Sequence, residues 1–220
     1  MPNHITNYLN VSGSPEEVER FRVAVSTENP ELVKLEIEKA KRSIKIYEET
    51  EDKTTLGFGA ESSYKNARGV VESGKLPKCI ITLEGTVPMP LELDGSVCGS
   101  LEPEWQKKNS AELKRKYGAD NWYEWCIYNW GTKWDAYSVG DFVQKDDGSI
   151  TYRFDTAWST PSAWMSTTAK MFPSLTFECA WKDEGGGAGI VTLCVDEGIE
   201  DDEELEDKQW LLEQIGRAHV

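Results

Sequence analysis

Ile150-Thr151-Tyr152-Arg153-Phe154-Asp155-Thr156-Ala157-Trp158-Ser159-Thr160-Pro161 is the stretch that decides the fold. Ile150 to Trp158 reads as a strand, and Thr160-Pro161 as the start of a helix, because proline suits the first helical position. Upstream, Asp146-Asp147-Gly148 is a hairpin signal that joins this strand to another predicted over Tyr137 to Gln144. Downstream, Met165, Ala169 and Phe172 give a helical stripe stopped by Pro173. A strand from Leu175 to Trp181, a turn at Gly185-Gly186-Gly187 and a last strand from Ile190 to Val195 follow.

The same logic reaches back to the start of the chain. Ile5, Leu9 and Val11 alternate with polar residues as in a strand. Ser14 reads as an N-cap, Pro15 as the first helical residue and Glu17 as the partner in a capping box, ahead of an apolar stripe of Val18, Phe21 and Val25. The resulting order is β-α, a long insertion, then β-β-α-β-β. It predicts an α+β fold: a ferredoxin-like antiparallel sheet with two helices on one face and a large, mainly helical insertion. Residues 1–195 are expected to form one domain, with its core in 4–27 and 135–196 and the insertion at 29–134.

Within the insertion, Asn29-Pro30 caps a helix with Val33, Ile37, Ala40, Ile44 and Tyr47 on one face, where Glu38 and Arg42 stand one turn apart. A short helix around Tyr64 to Val71 ends at Gly74, and Cys79-Ile80-Ile81-Thr82-Leu83 is expected as a buried strand. Pro88-Met89-Pro90 and Gly95 to Gly99 read as loop, and Pro103 to Tyr117 as a polar helix closed by Gly118.

The 220 residues carry a net charge of −15. Asp196 to Gln214 holds ten acids against Lys208 alone, so that stretch carries −9 and the other 201 residues −6. Phosphate binding needs clustered Lys and Arg, so direct nucleic-acid binding is not expected. Residues 196–220 are read as an acidic C-terminal tail, extended, solvated and contributing little to folding. Ile215 to Val220 resembles the translation of a common sequencing adapter, and these residues are set aside from functional reasoning. No run approaches the roughly 18 apolar residues of a membrane span, and the start of the chain lacks a secretion signal, so a cytoplasmic location is expected. The five cysteines show no CxxC spacing and read as reduced thiols. With only His4 and His219 as imidazoles, no metal site and no cofactor are assigned.

The most unusual stretch is Asn121 to Asp135, which holds four of the nine tryptophans. Each aromatic side chain buries roughly 150–250 Å², so these rings could lock the insertion onto the sheet. Alternatively they form the floor of a cleft in which indoles stack on a flat ligand while Lys133 and the Gly131–Thr132 backbone hold an anionic group. Composition leaves both readings open; Lys133 argues for the second, because an ammonium among indoles must reach water, a partner or an anion. The candidate ligand- or partner-binding residues are accordingly Asn129, Trp130, Gly131, Thr132, Lys133, Trp134 and Trp158. No catalytic residue is assigned: a nucleophile–base pair lacks its histidine, and Gly185 to Gly189 lacks the strand–loop–helix setting and the lysine of a phosphate loop.

Asn129-Trp130-Gly131-Thr132-Lys133-Trp134-Asp135 and Phe154 to Pro161 are similar to the signatures of Api92/YubB-like proteins. So are Met1-Pro2-Asn3, Pro88-Met89-Pro90 and Tyr117-Gly118-Ala119 with Trp122-Tyr123. His4-Ile5 departs from the Trp-Cys that relatives often carry. The resemblance implies a ferredoxin-like domain of a phage or conjugative plasmid. From it follows the expected function, a non-catalytic binding protein that counteracts a host defence factor. Its partner would be a host defence protein or a signalling nucleotide. The alternative is a small metal-dependent nucleotide-handling enzyme that uses Asp or Glu.

Overall fold

The computed structural model describes residues 3–56, 59–99, 102–140, 142–194 and 198–204, with backbone alone from 191 onward. His4–Ser12 is β1, Pro15–Ala24 α1, Pro30–Glu49 α2, Ala60–Ser73 α3, Glu104–Tyr117 α4 and Trp122–Asn129 α5. Val143–Gln144 and Ile150–Ala157 are β2 and β3, followed by α6 at Ser162–Met171. Thr176–Asp183 is β4, Ala188–Cys194 β5 and Gly198–Glu204 β6. Every pairing is antiparallel, in the order β2-β3-β1-β4-β5-β6. The block β2-β3-β1-β4 with α1 and α6 on one face is the ferredoxin-like arrangement. No helix among the described residues is long and apolar enough to cross a membrane.

Register explains the core. Leu9 lies opposite Tyr152 on one side and Cys179 on the other, and all three are fully buried beneath the helices. From α1, Phe21 meets Tyr152, Phe172 and Phe177 edge-on at 6.1, 5.5 and 5.4 Å. Edge-to-face geometry suits the ring quadrupoles and adds to the area buried. Ile81, Leu83, Leu93, Trp125, Cys126 and Trp130 join the same cluster. Trp164 of α6 donates its indole N–H to Leu83 O and Thr86 Oγ1, at 3.1 and 2.8 Å.

Several expectations need correction. Cys79 to Leu83 is not a strand. It runs along the end of α1, where Thr27 N donates to Cys79 O (3.0 Å) and Thr82 N to Val25 O (2.8 Å), then tightens into a 3₁₀ turn at Leu83–Gly85. A short apolar run fits any buried extended segment, and here a helix end takes its hydrogen bonds. The strand expected from Tyr137 to Gln144 is broken. Tyr137 makes an isolated bridge to Asp155, Ser138 sits at φ +49°, and regular pairing returns only at Val143–Gln144.

Cap chemistry also differs. Ser14 does cap α1, accepting from Glu17 N at 3.4 Å, but the Glu17 carboxylate turns to Arg20 at 2.6 Å and not back to the cap. Thr160 does not cap α6: Pro161 holds the N-cap position without a side-chain bond. Glu38 pairs with Lys41 (2.7 Å), while Arg42 donates to Leu91 O (2.5 Å). Gly198–Glu204, placed above in an extended tail, pairs with β5 as a sixth strand, with Glu200 opposite Thr192 and Glu203 opposite Ile190. No acid stands opposite another acid across that pair, so pairing adds no cross-strand repulsion to that along the chain. Residues 205–220, including Trp210-Leu211-Leu212, lie outside the described residues.

Candidate functional site

The expected site residues separate into a clamp and a surface. Asn121 starts α5 by accepting from Glu124 N (2.9 Å). At the other end Asn129 returns its amide to Trp125 O (2.9 Å), and Gly131 closes the helix with φ +82°. That left-handed conformation favours glycine, and a Cβ at Gly131 would also stand 3.2 Å from Ala163 N. The close approach lets Trp130 O accept from Trp164 N at 3.2 Å, satisfying a backbone donor in the first turn of α6. Thr132 Oγ1 donates to Ala157 O (2.8 Å) and accepts from Ala157 N (3.1 Å), while Ser159 Oγ donates to Gly131 O. Residues 129–132 and 157–162 are thereby stitched together. Trp130 is core, 3% exposed, with its indole N–H on Val87 O at 2.8 Å.

Lys133, Trp134 and Trp158 face outward. Trp134 is 39% and Trp158 44% exposed. The Lys133 ammonium lies 4.9 Å from the centre of the Trp134 ring and 4.8 Å from that of Trp158. Both distances are within cation–π range. Trp158 has φ +78°, a strained value for a bulky residue, and is held by donating its N–H to Asn3 O (2.9 Å) and by an edge contact with Tyr123.

Beside this surface opens a groove of about 370 Å³ walled by Trp122, Trp130, Trp134 and Lys133, with Asp94 and Asp135 among its lining residues. Asp135 accepts from Thr82 Oγ1, Leu83 N and Ala136 N, the last two at 2.6 Å. Burial nevertheless outweighs these donors and pushes its carboxyl up. Behind it, Lys39 of α2 donates to Glu84 at 2.6 Å and stands 3.0 Å from Glu36. Burial raises Glu84 to about 7, and raises Asp94 as well; Lys39, facing carboxylates on two sides, is held protonated. Burial also pushes the Cys126 thiol up to about 12, leaving it unreactive. Among the described residues no group of three His, Cys, Asp or Glu side chains is placed to hold a metal ion.

The charged network beside the groove was missed by sequence reasoning. Lys39 follows the buried Leu32 by seven residues on the same helix face, and that spacing was the available signal. Nothing local marks Glu84 and Asp94.

Residues 129–217 match a family model described as the ferredoxin-like domain in Api92-like protein. No curated protein matches the sequence. Among solved structures, the chain is similar to a crystal structure of the protein Api92 from Yersinia pseudotuberculosis. The TM-score is 0.59 at 10% identity, over 94% of this chain and 99% of that one. At that identity the structural likeness speaks for the fold, while the sequence match reaches from the clamp to the sheet. The sequence match is thus to the ferredoxin-like domain of Api92-like proteins, over residues 129–217.

Proposed function

We propose that the chain is a non-catalytic binding protein of a phage or mobile element that counteracts a host defence protein, and that it docks through Lys133, Trp134 and Trp158. The observation that carries this reading is a pair of part-exposed indoles with a lysine ammonium between them at the mouth of a groove. Exposed tryptophans on a fixed backbone are the usual anchors of protein interfaces. The hostile-factor part of the proposal rests on the kind of element that carries Api92-like proteins. The chain carries a net charge of −15, so a polyanion approaching it meets like charge, and a protein with a basic contact fits better than a nucleotide.

The test is to incubate the protein with a pool of cellular nucleotides, remove free ligand, denature by heat and analyse the supernatant. The expected result is no nucleotide. Release of an intact nucleotide would replace the protein partner by a signalling ligand, and release of an altered one would revive the enzymatic alternative.

A further inference from the structure

A second cavity, of about 380 Å³, opens where β1, β3 and β4 end together and is lined by His4, Tyr137, Asp155, Lys182 and Glu184, among others. It shares no lining residue with the groove. His4 Nδ1 lies 2.5 Å from Tyr137 Oη, and Tyr137 Oη donates to Thr156 O at 3.1 Å. The phenol has one proton. When that proton goes to the Thr156 carbonyl, which can only accept, the oxygen must accept from His4, which puts the imidazole proton of neutral His4 on Nδ1. Nε2 is then a bare acceptor, and it stands 3.9 Å from Glu184 Oε1, another acceptor. Both side chains are substantially solvent-accessible, 40% and 59% respectively. Within the same cavity lining, Asp155 Oδ1 is buried without a hydrogen-bond partner, its nearest cation being Arg153 at 3.6 Å.

Two facing acceptors 3.9 Å apart are spanned by one nitrogen that donates to both at about 2.8 Å, an ordinary charge-assisted length. An alcohol hydroxyl has one proton and cannot bridge them, and water, which has two, lacks the positive charge that favours contact with the Glu184 carboxylate. A primary ammonium has three. We infer that this cavity binds a primary ammonium group, held between His4 Nε2 and Glu184 Oε1 and oriented by the His4–Tyr137–Thr156 chain. Tyr137 is a positioning residue: it fixes the tautomer and does not touch the ligand. The charged groups lining the cavity with His4 are Glu184, Asp183 and Lys182 from the β4 end and Asp155 from β3, with Arg153 beside Asp155, a net of one negative charge.

The ammonium could belong to a free amine or to a lysine side chain. The experiment titrates the full chain with 1,4-diaminobutane in one arm and Nα-acetyl-lysine methylamide in the other, following the ¹⁵N shifts of the His4 ring. Saturable movement of Nε2 is expected with the tighter probe identifying the source, together with at least about tenfold weaker binding for Glu184→Gln. Tyr137→Phe is expected to shift the His4 tautomer ratio in the ligand-free protein, which a merely packing tyrosine would not do. Glu112→Gln, a remote exposed acid, serves as the control for general attraction to an acidic protein. An unmoved Nε2 with both probes overturns the inference, and so does equal weakening by Glu184→Gln and Glu112→Gln.

Discussion

Gly131 and Gly85 show how single positions set this structure. At Gly131 an added methyl would meet both a left-handed backbone and the α6 backbone at 3.2 Å. Gly131→Ala is expected to cost about 1–3 kcal/mol, the range for a strained non-glycine residue, read from urea unfolding. At Gly85 the methyl would lie 2.4 Å from Ala24 O, so Gly85→Ala should cost more still, where α1 meets the insertion. Glu84 supplies a pH signature. Its folded value is raised from 4.5 to about 7 by burial, so the folded state holds the proton more tightly than the unfolded one. That contribution to stability is present below about pH 4.5 and is lost as pH rises toward 7. The full effect is on the order of 3 kcal/mol, a net figure in which the opposing pull of Lys39 is already included. Glu84→Gln should flatten unfolding free energy measured between pH 5 and 8; an unchanged slope would place the titration elsewhere. The glycine at the turn was legible because its neighbours were unusual. The Glu84 network was not, because its members lie far apart in sequence and meet only when α2 folds onto the 3₁₀ turn.

β1, α1, β3, α6, β4 and β5 were legible as elements, since each carries its own periodicity and a local stop. Two of the failures share one cause: tertiary partners replaced local ones. Trp130 O did the work assigned to Thr160 at the start of α6, and the end of α1 took hydrogen bonds expected of a sheet at Cys79–Leu83. α5 went unseen because aromatic residues on every side leave no polar face to reveal a period. β6 hid behind its charge. Five of its seven residues are acids, and a strand so charged at a sheet edge discourages pairing with other chains. Truncation after Cys194 removes that guard and leaves β5, with Ile190, Val191 and Leu193 in sequence, as the new edge. The truncated chain should aggregate more at neutral pH by light scattering, with a melting temperature lowered by a few degrees. A monodisperse truncation that melts like the full chain would remove any role for β6.

For the molecule as a whole, the two halves of the tryptophan question both had an answer. Trp130, Gly131, Thr132 and Asn129 lock α5 and the clamp, as packing alone requires. Lys133, Trp134 and Trp158 are left outside it. A sequence records that these residues are close together but not which way each points, and that direction separates core from surface. Lys133→Ala should leave the fold intact, since its ammonium contacts only outward rings, and should weaken partner binding by roughly 1.5–3 kcal/mol if that ammonium is hydrogen-bonded to the partner.

The most direct test places a photo-crosslinking benzoylphenylalanine at position 134 in bacterial cells that make the protein, with the same group at Met171, a remote and 48% exposed side chain, as the reference. The expected result is a discrete protein adduct from position 134 that is absent from position 171 and is lost when Lys133→Ala and Trp158→Ala are added to a chain that still melts normally. Equal crosslinking at both positions, or an adduct indifferent to Lys133 and Trp158, would contradict docking through this surface.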